Sequence, residues 1–395
     1  MKISSIKGRL VDFWKAKKVW RTPKKAKVLI YDRSGSKLFL EYICADSVEI
    51  LDTRGESINI AVLLKSLANG LSNYSYLSTY IKMVDPGIAL TFIDNNPDFY
   101  KLKKLKPNLE TVFVQNGLRS VVGDVFGHLS NVPVADKKNY HVDHMLCFGE
   151  AIGNKYGEYI AGNVVAIGSF KNNNVRKPQG FVNEGTVLFL SQYRKPKIDG
   201  SPMLYNDGLP IYWDDFFASE AFFLPLLYKY CQEKSLRLQI CGCANEGQFL
   251  EKEFFMNILG DSNWEYVPRK SEHSSYELVD QSPFVVMIDT TLGYESLGRG
   301  KKVAAFTTRG RSIQSEARNF GWPAELNDNG PFWTNNFDET EFRRVMDYVT
   351  TATDDEWDIN KKKYIRGLMV FDRGNTKFID LMKDLQVPLN FLNNA

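Results

Sequence analysis

The chain has 395 residues, of which 44% are hydrophobic, 13% aromatic and 25% charged, enough apolar material for two cores of about 150–200 residues each and too much for a disordered polymer. Its net charge of +3 is uneven, because residues 1–27 carry ten Lys or Arg against the single acid Asp12, a +9 head on a remainder of −6. A basic head on an acidic body excludes a uniformly basic nucleic-acid-binding globule and points to a local anionic partner, with no nucleic acid expected.

Residues 3–20 space Ile3, Ile6, Leu10, Phe13, Trp14, Val19 and Trp20 at near-helical intervals among Lys and Arg. This segment, 1–26, reads as a basic amphipathic helix for an anionic inner-membrane surface, or as a basic tail packed on its own domain. From Lys27 short apolar runs alternate with longer amphipathic ones. Strands are expected at Val28–Tyr31, Val48–Leu51, Ile88–Ile93, Val112–Gln115, Met145–Phe148 and Val164–Ile167, with helices between them at Ile60–Leu71 and Asp98–Leu105. Residues 171–185 are polar, hold a proline and two glycines, and read as a linker. The alternation then restarts, with strands at Val187–Leu190, Leu238–Ile240, Glu265–Val267, Val285–Ile288 and Val303–Phe306. Helices fall from about Phe216 and near Phe249–Leu259, Tyr294–Leu297, Glu339–Thr350 and Trp357–Leu385. The expectation is α/β, two Rossmann-like doubly wound domains: an acceptor domain over 27–170 and a nucleotide-sugar domain with terminal helices over 186–395. Ligands of such sheets bind at the carboxyl ends of the strands, here in the cleft between the halves.

No run reaches the roughly 18 apolar residues of a membrane span, and no signal-peptide core is evident. The five cysteines (Cys44, Cys147, Cys231, Cys241, Cys243) form an odd set without framework spacing. Reduced thiols and a cytoplasmic protein, peripheral on the membrane, are expected.

The most informative stretch is 284–303, FVVMIDTTLGYESLGRGKKV. A buried strand ends at Asp289, and Thr290, Thr291 and Gly293 open a helix whose free N–H groups and dipole suit a phosphate. Glu295, one turn in, could accept from ribose hydroxyls. Thr290 or Thr291 could equally be a simple cap. Ser191 and Arg194 follow the first strand of the second half and could meet phosphate or a sugar carboxylate. His273, beside two serines, is a possible contact. The Asp214–Asp215 pair at a helix entrance could supply a carboxylate nucleophile, Asp215 preferred with Asp214 as the cap, or both could serve the helix end. Glu150, after Phe148-Gly149, could be a partly buried acid/base partner. His141 and His144 lack the companions of a zinc set, and no Asp-x-Asp ends a strand, so no metal is expected.

The block Asp289–Val303 resembles the nucleotide-binding segment of GT-B glycosyltransferases, where a Ser/Thr-rich turn opens a helix containing a glutamate. Val267-Pro268-Arg269-Lys270 sits where sialyl- and Kdo-transferases carry a His-Pro element that contacts the cytidine nucleotide. Here Val replaces His, leaving Arg269 and Lys270 as phosphate contacts. Gln115-Asn116-Gly117-Leu118-Arg119 is similar to a turn of surface-carbohydrate transferases, which would make Gln115, Asn116 and Arg119 acceptor or sugar contacts. Residues 27–370 look most like retaining β-Kdo transferase modules of lipopolysaccharide and capsule synthases. That resemblance implies CMP-β-Kdo as donor, a glycan or glycolipid acceptor, and retention through a carboxylate without a metal. The alternatives are an inverting transferase using a UDP-, GDP- or TDP-sugar, a polyol-phosphate transferase of the same fold, and a non-catalytic membrane-docked scaffold.

Overall fold

The computed structural model describes residues 16–70, 72–175, 182–244, 248–261 and 263–390. Two parallel sheets are built from the short apolar runs. In the first half, β2 (Val28–Tyr31), β3 (Val48–Leu51), β5 (Ile88–Thr91), β6 (Glu110–Val114), β7 (His141–Cys147) and β8 (Ala161–Ala166) form a six-stranded sheet of order β3-β2-β5-β6-β7-β8. A small parallel pair, β1 (Lys17–Val19) with β4 (Ser57–Asn59), stands beside it. In the second half, β9 (Thr186–Leu190), β12 (Arg237–Cys241), β13 (Trp264–Val267), β14 (Phe284–Met287), β15 (Lys302–Phe306), β16 (Asn329–Gly330) and β17 (Trp333–Thr334) form a seven-stranded sheet of order β13-β12-β9-β14-β15-β17-β16. Only β16 runs antiparallel in it. β10 (Leu204–Asn206) and β11 (Leu209–Ile211) make a separate hairpin. Central strands such as β2, β5 and β9 are buried at every position, as covering a parallel sheet on both faces demands.

Three expectations are corrected. The helix read over 3–20 does not extend to residues 17–19, which pair as a strand with β4; residues 1–15 lie outside the described residues. The linker read over 171–185 begins inside a helix, Phe170–Asn174, capped by Ser169 and burying Asn172 and Asn173 between the halves. Residues 182–185, at its other end, are exposed, so it is the start of the stretch that is drawn into the fold. The helix read over Trp357–Leu385 is two helices, Asp354–Tyr364 and Thr376–Asp384, separated at Gly374 and Asn375, both at positive φ. The last helix, grouped by sequence with the second half, packs on the first. Phe378 stacks on Phe39 at 5.8 Å and meets Phe170 edge-on at 4.9 Å. The chain thus crosses back, and Val370 N bonds Phe148 O while Ala151 N bonds Gly367 O.

Candidate functional site

The turns after β6 and β14 meet. Leu118 N donates to Thr291 Oγ1 at 3.3 Å, so the carboxyl ends of the two sheets face one another across a narrow cleft. A pocket there, lined by residues including Gln115, Arg119, Tyr294 and Trp322, has about 20 Å³ of free volume, room for little more than a water. The halves are closed on each other.

On the second half, Thr290 caps the helix Thr291–Gly298, its hydroxyl accepting from Gly293 N at 2.8 Å. Gly293 is required by packing: a Cβ there would lie 2.0 Å from Met287 Sδ. The capping reading of Thr290 therefore holds, while Thr291 faces the first half. The two amides that precede the capped one belong to the unsatisfied set at any helix start.

Beside this turn lies a charged cluster that the sequence reading missed. Arg309 is fully buried; its Nε donates to Asp289 Oδ1 (3.0 Å) and its Nη2 to Glu220 Oε1 (2.8 Å) and Gln192 Oε1 (3.1 Å). Its Nη1 donates to Phe216 O. Arg318 approaches Asp289 Oδ2 at 3.5 Å, its side chain 20% exposed. Asp289 Oδ2 and Arg318 Nε have no hydrogen-bond partner among the described residues. Burial opposes ionisation of Asp289, but Arg309 and Arg318 outweigh it and hold its carboxyl below the usual range. Burial pushes Glu220 up, and Arg309 only partly offsets this. Arg194 sits at the exposed rim, its guanidinium 5.4 Å from the Phe216 ring. Desolvation, then repulsion from Arg318, lowers its pKa, although a guanidinium stays charged at neutral pH. Arg194, Arg309 and Arg318 against Asp289 and Glu220 leave one surplus positive charge beside a helix N-terminus. Such an arrangement favours an oxyanion of phosphate or carboxylate type.

The other predicted residues fall as follows. Glu295 is buried, accepting from Ser169 Oγ of the first half and from Tyr276 OH at 3.0 Å, and burial raises its pKa. The ribose-contact expectation is corrected to an inter-half tie, because both carboxylate oxygens already have donors. Asp214 and Asp215 are exposed. Asp215, and not Asp214, completes the capping box, taking Tyr212 N at 2.9 Å. Asp215 Oδ2 thus serves the helix end, and its expected part as a nucleophile stays a proposal. Glu150 is exposed, against the partial burial expected.

Ser191 is buried and donates to Glu251, which also holds Cys243 N and Ala244 N (both 3.0 Å) and Tyr266 OH (2.9 Å). Glu251 thereby ties together the ends of β9, β12 and β13. Arg269 Nε donates to Ser271 O at 3.3 Å, Lys270 is exposed, and His273 is an exposed N-cap. Gln115 takes Phe148 N at 2.8 Å and donates to Gly117 O at 2.9 Å. Arg119 pairs with buried Asp94 and with Asn116 Oδ1, while Tyr156 OH donates to Asp94 at 2.6 Å. The 115–119 turn is thus held shut around Asp94. Burial pushes the Cys241 and Cys243 thiols to about 11 and about 12. His141 and Asp143 interact at 3.0 Å on β7, and no group of three or more metal-holding side chains occurs among the described residues.

Two parallel-sheet domains, a cleft between their carboxyl edges and a C-terminal helix that crosses back define a GT-B type fold. The fold matches a structure described as a "putative UDP-N-acetylglucosamine 2-epimerase from Listeria monocytogenes", with TM-score 0.51 and 11% identity, covering 91% of this chain and 96% of that one. Similar too are the UDP-GlcNAc 2-epimerase of Methanocaldococcus jannaschii (TM-score 0.49, 10% identity, 91% and 99% covered) and the wall teichoic acid polymerase TagF (0.46, 10%, 92% and 90%). The chain belongs to the family described as "putative O-antigen biosynthesis protein", which matches residues 112–386. No curated protein matches it. No helix among the described residues is long and apolar enough to cross a membrane.

Proposed function

We propose that this protein is a glycosyltransferase of surface-polysaccharide synthesis that binds the phosphate of a nucleotide-activated sugar. The phosphate would lie between the start of the helix Thr291–Gly298 and the guanidinium groups of Arg318 and Arg194. The carrying observation is the surplus positive charge around Asp289, with Arg318 Nε left without a partner beside a helix N-terminus. Membership in an O-antigen biosynthesis family supports the pathway class. The acceptor glycan would approach from the first half, across the 115–119 turn. CMP-Kdo as donor and retention at the anomeric carbon rest on the sequence resemblance and belong to this reading as its most specific form. Attachment to an anionic membrane surface through residues 1–20 rests on their basic amphipathic spacing and belongs to this reading as well.

A thermal-shift and calorimetric panel of CMP, CMP-Kdo, UDP, GDP and TDP sugars tests the donor. One nucleotide should stabilise the protein, and Arg318→Ala should weaken its binding about 10- to 150-fold, the range for a charge-assisted hydrogen bond. The reading fails if no nucleotide binds, or if Arg318→Ala binds as tightly as the native protein. Conversion of a nucleotide sugar to its epimer without an acceptor would replace transfer by isomerisation.

A further inference from the structure

The first half carries an apolar, basic face away from the charged cluster. Trp20, Leu64, Leu67 and Tyr74 are 73%, 62%, 47% and 60% exposed. They stand on one braced unit. Asn59, the last residue of β4, caps the helix Ile60–Ser66 by accepting from Val62 N, and its Nδ2 donates to Arg21 O at 2.9 Å. Asn59 N donates to Tyr76 OH at 2.9 Å, tying in the helix Asn73–Val84. Ser75 Oγ donates to Asn69 O at 2.9 Å, which brings the turn after Leu67 to the start of that second helix. Val62 and Ser66 are buried, so the helix Ile60–Ser66 already spends its inner face on the fold. Leu64 lies on the outer face, where a charged residue is usual.

Charge identifies what covers this face. Residues 16–20 and 57–76, which build the unit, contain three Lys and no Asp or Glu. Lys17 and Lys65 are exposed on it. A second copy would meet the same positive charge and be repelled. Aromatic and leucine side chains beside lysines, with no acid among them, are suited instead to an interface that is apolar below and anionic above. The unit also lies just past the carboxyl end of β3, tied there by Ser57 to Asp52. The membrane would therefore lie on the side of the first sheet from which an acceptor reaches the cleft.

We propose that Trp20, Leu64, Leu67 and Tyr74, with Lys17 and Lys65, form a folded docking face for an anionic lipid surface. The face does not depend on the donor reading, and nucleotide titration separates the two. The test is co-sedimentation of the full chain with phosphatidylglycerol/phosphatidylcholine vesicles and with pure phosphatidylcholine vesicles. The native chain should favour the anionic vesicles. Leu64→Asp/Leu67→Asp should lower that partition about tenfold or more through lost insertion and added repulsion, with melting temperature and nucleotide affinity unchanged. Leu64→Ser/Leu67→Ser, which adds no charge, should lower it less and covers the case in which the aspartates impair folding. Equal binding of both double variants and the native chain, no preference for anionic vesicles, or no vesicle binding at all overturns the proposal. Capture of the native chain by an acidic protein but not by vesicles would also overturn it, assigning the face to a protein partner.

Discussion

Arg309 offers the sharpest test of the charged cluster. Methionine in its place keeps an unbranched side chain but removes the donors to Asp289, Glu220, Gln192 and Phe216 O. It also removes the cation held 3.9 Å from the Phe216 ring. Asp289 and Glu220 would then face each other's charge with little water, and breaking a buried pair by removing one partner costs about 3–5 kcal/mol. For a unit of about 200 residues, that loss lowers the melting temperature by about 6–20 °C. The loss also depends on pH. A glutamate raised above its ordinary 4.5 binds its proton more tightly folded than unfolded, so its contribution is fully present below 4.5 and fades as pH rises through the folded value. Without Arg309 the raised value moves higher still, so Arg309→Met should recover more stability as pH falls towards 4.5 than the native chain does, in which Arg309 partly offsets the burial of Glu220. Glu220→Gln in the Arg309→Met background removes one stranded charge and should restore part of the loss. Thermal melts of the three proteins between pH 5 and 8 measure it, those limits being about the range in which protein stability usually peaks. An Arg309→Met protein melting with the native one, or a deficit that neither acid nor Glu220→Gln relieves, would refute the cluster as drawn.

Glu295→Ala should destabilise the protein by about 1–3 kcal/mol, because Tyr276 OH and Ser169 Oγ lose a charged acceptor in a buried setting; a melt unchanged from native would return Glu295 to the cleft surface. Asp215→Asn keeps an oxygen for Tyr212 N, so both melting temperature and turnover should stay close to native once a donor is known. A fall of several orders of magnitude in turnover would instead restore Asp215 as the nucleophile.

Periodicity alone located the central strands and their parallel arrangement, because a strand covered on both faces is apolar, as Val28–Tyr31 and Val187–Leu190 are. It also located the Thr290–Gly293 turn, since a strand running into a threonine cap is a local signal. Tertiary structure decided which polar side chains meet. Arg309 and Arg318 follow β15 without any motif, and only the adjacency of β14 and β15 brings them to Asp289. Asp94 ends a strand as Asp289 does, which was the available signal for it, but its partner Arg119 comes from the next strand's turn. Glu220 lies inside a helix, and only the sheet beneath it distinguishes it from the exposed Asp214 and Asp215. Glu295 carries the same lesson in reverse: its place after a glycine turn suggested a ligand, yet Ser169 reaches it across 126 residues of sequence. Hydrophobic burial repeats along the chain and can be read locally, whereas a buried charge is placed by its partners, and those arrive from elsewhere.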